Sequence, residues 1–231
     1  MHLTNGTAYK AMEQTSSLNS SELDNYVLDM DGTLLDLHFD DIVWNVQLPL
    51  YYAKKNKCSV ETARDYIKSA LERYRGSLDW YSFSHWENKL EIDISSIEMA
   101  VLHLVSVKKD TLHFLENAKK REKQLILATN AYPSSMRKKF DITGIDKYFD
   151  HVINSHDIGR AKEEAGFWNE LRNRLNLENK RTLIVDDNLN VLRAASKCGY
   201  SALCAVSHPN SKGEEKHTKE FPSVASLAEL L

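Results

Sequence analysis

Cysteine is scarce and unpatterned in this chain. Its 3 cysteines, Cys58, Cys198 and Cys204, are odd in number and fall into no metal-ligand spacing, so neither a disulfide framework nor a thiolate metal site is expected, and a reduced, cytoplasmic compartment is. Glycine (8) and proline (4) are also few, which leaves long segments free to be helical. No apolar run approaches membrane-spanning length, so no membrane partner is expected. The N-terminus has no basic start followed by an apolar core, and no secretory signal is read there. A net charge of -3 gives no basic field, so nucleic acid is not an expected partner. What remains is ordinary for a globular protein: 231 residues, 42% hydrophobic and 27% charged, enough for one large domain with a smaller insert.

The most informative stretch is Tyr26-Val27-Leu28-Asp29-Met30-Asp31-Gly32-Thr33. An apolar run reads as a short buried strand, and it ends on two carboxylates one residue apart. Strand side chains alternate, so Asp29 and Asp31 start on the same side. Like charges that close repel unless a cation or a shared proton relieves them. A strand end followed by an Asp/Gly turn, with both acids merely solvated, is the plainer alternative.

Residues 1–21 are polar and rich in serine, and are expected to be a mobile extension. Gly32 to Asp36 reads as a tight turn or small hairpin. Over 37–109 the pattern is helical, with amphipathic runs at 42–54, 60–74, 80–90 and 95–104, which defines a helical insert. Residues 22–36 and 110–231 then form one α/β core. Asp110 is expected to N-cap a helix, and strands are expected at 124–128, 148–154, 181–185 and 201–206. Helices are expected between these strands and over 223–231. Unbroken apolar strands alternating with helices predict a doubly wound parallel sheet covered on both faces.

Ligands bind such sheets at the carboxyl ends of the strands. There the sequence delivers Asp29 and Asp31, then Thr129 and Asn130, then Lys162, then Asp186 and Asp187. Each has a plain structural reading alone; together they suit phosphoryl transfer through an aspartate. Three acids near one point call for a hard dication with oxygen ligands, and Mg²⁺ fits best. Asp29 would attack phosphorus. Asp31, kept protonated by crowding, would give its proton to the leaving oxygen and later take one from water. Thr129 and the main chain around Gly32 would hold phosphoryl oxygens, and Lys162 would supply the remaining positive charge.

Asp29-Met30-Asp31-Gly32-Thr33-Leu34-Leu35-Asp36 resembles the first signature of the haloacid dehalogenase (HAD) superfamily in its phosphatase form. Thr129-Asn130, Lys162 and Asp186-Asp187 match the other three signatures in order. The resemblance implies an HAD-like core with Asp29 as nucleophile and Asp31 as acid/base. It implies a metal held by Asp29, by the main-chain carbonyl of Asp31 and by Asp187, with Asp186 the alternative ligand. Gly32, Thr33, Thr129 and Asn130 become substrate-binding, and the helical insert becomes a type-one cap. More closely, the chain resembles bacterial GMP/IMP nucleotidases of this superfamily, through its first signature, Leu78-Asp79-Trp80-Tyr81, Trp86 and Arg181 to Asp187. That implies a purine nucleoside monophosphate as substrate. One departure stands out: the proline usual beside the third-signature lysine is absent, and Lys162 is flanked by Ala161 and Glu163.

The acids and Lys162 specify a phosphate ester without saying which one. Trp80, Tyr81 and Trp86 could stack a purine or could be cap core, and Arg73 and Arg75 could read a base or be solvated. A sugar phosphatase is the nearest rival, and a mutase using the same aspartyl phosphate is a further one. A dehalogenase is disfavoured because it would not need Asp31. A silent scaffold of the same fold should have lost one of Asp29, Asp31, Lys162 or the fourth-strand acid, and none is missing.

Overall fold

The computed structural model describes residues 20–231; the extension expected over 1–21 lies outside the described residues except for its last two. Six parallel strands form one sheet in the order β3-β2-β1-β4-β5-β6. They are β1 Asn25–Leu28, β2 Gln124–Thr129, β3 His151–Asn154, β4 Thr182–Asp186, β5 Ala202–Val206 and β6 Ser223–Val224. The chain winds outward from β1 through β2 to β3, then returns to the other side of β1 with β4. That reversal places the carboxyl ends of β1, β2 and β4 side by side, and a crevice opens where connections leave in opposite directions.

The strands are apolar on both faces because both faces are covered. Tyr26, Leu28, Leu125, Leu127, Leu183, Val185, Cys204 and Val206 join one core cluster. The intervening Val27, Ile126, Ala128, Ile184, Leu203 and Ala205 join the other. This is the two-residue strand period sorted into two layers. On the first side lie α5 (Thr111–Lys120), through Phe114, Leu115 and Ala118, and α6 (Pro133–Thr143), through Met136 and Phe140. On the second lie α8 (Ala165–Leu175) and α9 (Leu189–Lys197), through Phe167, Trp168, Leu171, Val191 and Leu192. The short α7 (Ser155–Ile158) follows β3.

From His38 to Leu104 the chain is helices and turns. α1 comprises three consecutive stretches, His38–Asp41, Ile42–Gln47 and Leu48–Asn56, the middle one π-helical. α2 (Val60–Glu72), α3 (Phe83–Leu90) and α4 (Ile94–Val101) start at Ser59, Ser82 and Asp93, whose side chains accept from backbone N–H groups of the first turn. The segment leaves the core through a tight turn in which Leu34 N and Leu35 N both donate to Met30 O, at 2.9 and 2.8 Å. It returns through Val107, bridged antiparallel to Leu35.

Two expectations need correction. The expected C-terminal helix is instead the edge strand β6 followed by a short 3₁₀ turn, Leu227–Leu230. Ser226 and Glu229 form a capping box, so the helical signal begins only after Val224, which pairs with Val206. Asp110 precedes α5 but does not cap it: its backbone is left-handed (φ 65°), and its carboxylate accepts from the Ser226 hydroxyl at 3.2 Å.

The packing of α5 on β1 is a single-site test. Phe114 is fully buried and stacks on Tyr26 with ring centroids 6.0 Å apart. Phe114→Ala is expected to cost about 3–5 kcal/mol in urea denaturation; a loss under about 1 kcal/mol would contradict the packing.

Candidate active site

Each strand end places one group at the crevice. Asp29 follows β1 directly, and its N–H donates to Val185 O at 3.0 Å, so it is held as a continuation of the strand. Asp186 is the last residue of β4, and Thr129 the last of β2. Lys162 comes from the loop between α7 and α8. Its backbone N–H donates to Asn130 Oδ1 at 3.0 Å, and its carbonyl accepts from Trp168 Nε1 at 2.7 Å. Both bonds fix where the lysine stem enters.

The Lys162 ammonium is 2% exposed and uses all three donors. It meets Asp29 Oδ1 at 2.5 Å, Asp186 Oδ2 at 2.8 Å and Ala128 O at 3.0 Å. One cation therefore ties the ends of β1, β2 and β4 together. It does not balance the acids around it. Asp29, Asp186 and Asp187 each offer an oxygen within 4.8 Å of the others. Burial pushes the Asp29 carboxyl well above its usual range; Lys162 opposes this, and the charges of Asp186 and Asp187 add to it. Burial, reinforced by Asp186, pushes Asp187 up to about 7. The Lys162 ammonium moves up, because the two carboxylates it bonds outweigh its own desolvation.

The oxygens differ in what they have left to offer. Asp186 spends Oδ2 on Lys162 and Oδ1 on the Asn188 backbone N–H, at 2.9 Å. Asp187 makes no hydrogen bond among the described residues. Asp29 Oδ2 is buried without a partner. A buried, unpaired carboxylate oxygen beside a second unpaired carboxylate fits a hard cation, which prefers anionic oxygen donors. Gly32 makes the close approach possible. At φ +92° a Cβ there would lie 2.8 Å from both Cγ and Oδ2 of Asp187. The Gly32 carbonyl is held from behind by Lys108 Nζ at 2.9 Å.

Asp31 has a partner that the sequence reading did not single out. Its Oδ1 accepts from Lys139 Nζ at 2.7 Å, and Lys139 also bonds both oxygens of Asp40, at 2.8 and 2.9 Å. The expected crowding by acids is thus met by a buried ammonium. Burial pushes Asp40 up to about 7, and the Asp31 charge adds to the shift against the pull of Lys139. Lys139 lies in the run Arg137-Lys138-Lys139. Counting from Pro133 at the helix start puts Ser135 and Lys139 one turn apart on the buried face.

Asp29, Asp31, Trp80, Thr129, Asn130, Lys162, Asp186 and Asp187 line one cavity of about 890 Å³. Gly32 and Thr33 do not line it; the Thr33 side chain is fully buried, with its hydroxyl unpaired. Thr129 Oγ1 accepts from Ala131 N at 3.0 Å, which leaves its O–H to donate. Asn130 is spent on support: besides orienting Lys162, its Nδ2 donates to Glu163 Oε2 at 3.0 Å. Glu163, next to Lys162, also accepts from Tyr81 Oη at 2.6 Å and Asn188 Nδ2 at 3.0 Å, and so joins the helical segment to the strand ends. Trp86 is fully buried and donates to the Trp80 carbonyl at 3.0 Å, which makes it core. Trp80 faces the cavity with the Arg75 guanidinium 5.4 Å from its ring centre. Arg75 lines the cavity and Arg73 does not, while Arg64 and Lys68 of α2 add charge that no motif had indicated.

Gly32→Ala tests the Gly32–Asp187 contact. It is expected to lower stability by about 1–3 kcal/mol in urea denaturation. It should also weaken divalent-cation binding in titration calorimetry at least about tenfold, by displacing Asp187. Unchanged cation binding would show that Asp187 is not held where the glycine turn places it.

A family model for haloacid dehalogenase-like hydrolases matches residues 23–199. The chain is 32% identical over 210 residues to the GMP/IMP nucleotidase YrfG of Escherichia coli (strain K12), covering 91% of this chain and 95% of that one, with the same figures for the Shigella flexneri protein of that name. Among solved structures, an HAD phosphatase from Thermococcus onnurineus superposes with a TM-score of 0.75 at 23% identity, covering 90% of this chain and 96% of that one. The L-2-haloacid dehalogenase from Xanthobacter autotrophicus gives 0.58 at 14%, with the same coverage. At those identities the two structures speak for the fold alone. The family match and the length of the nucleotidase alignment go further: the chain is an enzyme of the haloacid dehalogenase-like hydrolase family, with phosphatase and nucleotidase relatives.

Proposed function

We propose that the protein is a Mg²⁺-dependent phosphomonoester hydrolase that acts on purine nucleoside 5′-monophosphates, GMP and IMP first, through an aspartyl phosphate. The observation that carries the reading is the buried, unpartnered Asp29 Oδ2 beside Asp187 at the floor of the cavity. Asp29 and Asp187, with the main-chain carbonyl of Asp31, would hold the Mg²⁺. Asp187 is favoured over Asp186 because both Asp186 oxygens already accept hydrogen bonds. When bound, the ion would polarise the phosphoryl group and offset its charge.

The chain's own groups supply the rest. Asp29 attacks phosphorus, and the bond from phosphorus to the nucleoside oxygen breaks. Asp31 gives its proton to that oxygen, and the nucleoside leaves. Asp31 then takes a proton from a water that attacks the aspartyl phosphate, which frees phosphate and restores Asp29. Lys162 holds one Asp29 oxygen in place, and the Thr129 hydroxyl is free to donate to a phosphoryl oxygen. The helical segment 37–109 acts as the cap that excludes water, with Trp80 stacking the base. A cavity of about 890 Å³ suits a ligand of nucleotide size. Three free cysteines suit a reducing, cytoplasmic setting.

Released phosphate across a panel of esters tests the assignment: IMP and GMP should exceed sugar phosphates in kcat/KM, and the reverse order would replace the nucleotidase with a sugar phosphatase. Asp29→Asn should lower turnover of every ester at least about a thousandfold. Trp80→Ala should raise KM for IMP by about tenfold while leaving KM for an aryl phosphate within about twofold; equal changes would return Trp80 to the cap core.

A further inference from the structure

We propose that Lys139 is a positioning residue for the acid/base step. It fixes the Asp31 carboxyl in one orientation, and Asp40 holds Lys139 in place. This rests on the acid/base role proposed for Asp31.

Lys139 is 1% exposed, so its ammonium cannot be a solvated surface charge that happens to point inward. Its side chain rises from the buried face of α6, and the ammonium lies 5.1 Å from the centre of the Phe39 ring. Three carboxylate oxygens surround it, one from Asp31 and two from Asp40. A lysine confined this way cannot follow its partner through alternative rotamers, so the partner must adapt to the lysine. Asp31 Oδ1 is therefore committed. Oδ2 makes no hydrogen bond among the described residues, and Asp31 lines the cavity. Only Oδ2 is left to carry the proton that passes to the leaving oxygen and returns from water. A carboxyl free to rotate would present either oxygen, and would spend part of its time with the proton facing away from the substrate.

The same cluster ties this step to the helical segment. Asp40 belongs to the first stretch of α1, immediately after the turn that carries Asp31, whereas Lys139 belongs to the core. A second junction stands beside it: the Ser135 hydroxyl donates to Glu98 of α4, and Lys138 bonds the same carboxylate at 2.8 Å. Asp31 is thus oriented only while α1 and α6 are in contact.

The test separates phosphorylation of Asp29 from the need for a leaving-group proton. Wild type, Asp31→Asn, Lys139→Met and Asp40→Asn are compared with Mg²⁺ in rapid-mixing single turnovers. IMP, whose leaving alkoxide needs a proton, is set against 4-nitrophenyl phosphate, whose leaving group does not. Lys139→Met is expected to slow the IMP turnover at least about thirtyfold, within the range of general-acid effects, and to leave the nitrophenolate burst within about threefold. Asp40→Asn, which keeps the ammonium and loses one of its charged anchors, should show the same selectivity at smaller size, and serves alone if Lys139→Met does not fold. Equal slowing of both esters, or none, in whichever variants fold would overturn the positioning role. If Asp31→Asn itself treats the two esters alike, the acid/base reading of Asp31 fails first. If Asp31→Asn discriminates and the Lys139 and Asp40 variants do not, only the present proposal fails.

Discussion

The molecule is arranged around an uncompensated charge. Three carboxylates converge where β1 and β4 end, and one buried ammonium, that of Lys162, is bonded to two of them. Taking such a group out of water is costly, and the attraction of one lysine offsets only part of it. The surrounding fold is what makes the arrangement tolerable. Two layers of apolar side chains clamp the strands, and the Asn130 and Trp168 contacts fix the lysine from the side away from the acids. The unpaired Asp29 Oδ2 is the part the protein leaves open, and a dication is the natural complement to it.

A second charge cluster stands beside the first and is built differently. Around the buried Lys139 ammonium three carboxylate oxygens are matched, one of Asp31 and both of Asp40, and Asp31 Oδ2 is left over. Under the proposed mechanism the contrast has a chemical sense. A nucleophile that receives phosphorus must keep an oxygen available. An acid/base must keep one oxygen available and gains from having the other immobilised. Both clusters are assembled from distant parts of the chain, and the second, with Glu163 and Tyr81, spans the boundary between the sheet and the helical segment.

Much of this was legible in the residues. The two-residue alternation of Tyr26 to Leu28, Leu125 to Ala128 and Leu183 to Val185 is fully apolar, which happens only when both sheet faces are covered. The spacing of Asp29 and Asp31, and the order of Thr129, Lys162 and Asp186-Asp187 at successive strand ends, marked the rim. The misreadings have physical causes. β6 is two residues long and carries no periodic signal, and Asp110 stands where an N-cap would but takes a left-handed backbone. Asn130 lines the cavity and bonds Lys162 and Glu163, contacts that the pattern of residues did not indicate.

Local pattern therefore decided what each strand end carries: a doubly wound parallel sheet, a helical insert after the first strand, and carboxylates, a hydroxyl and a lysine delivered to one edge. Those properties depend on neighbours a few positions apart, and the alternation of side chains along a strand preserves them. Which oxygen is left unpaired, which of Arg137, Lys138 and Lys139 turns inward, and what Glu163 holds depend on contacts between residues about a hundred positions apart. Only the packed chain brings those groups within hydrogen-bonding distance, so only the tertiary structure could decide them.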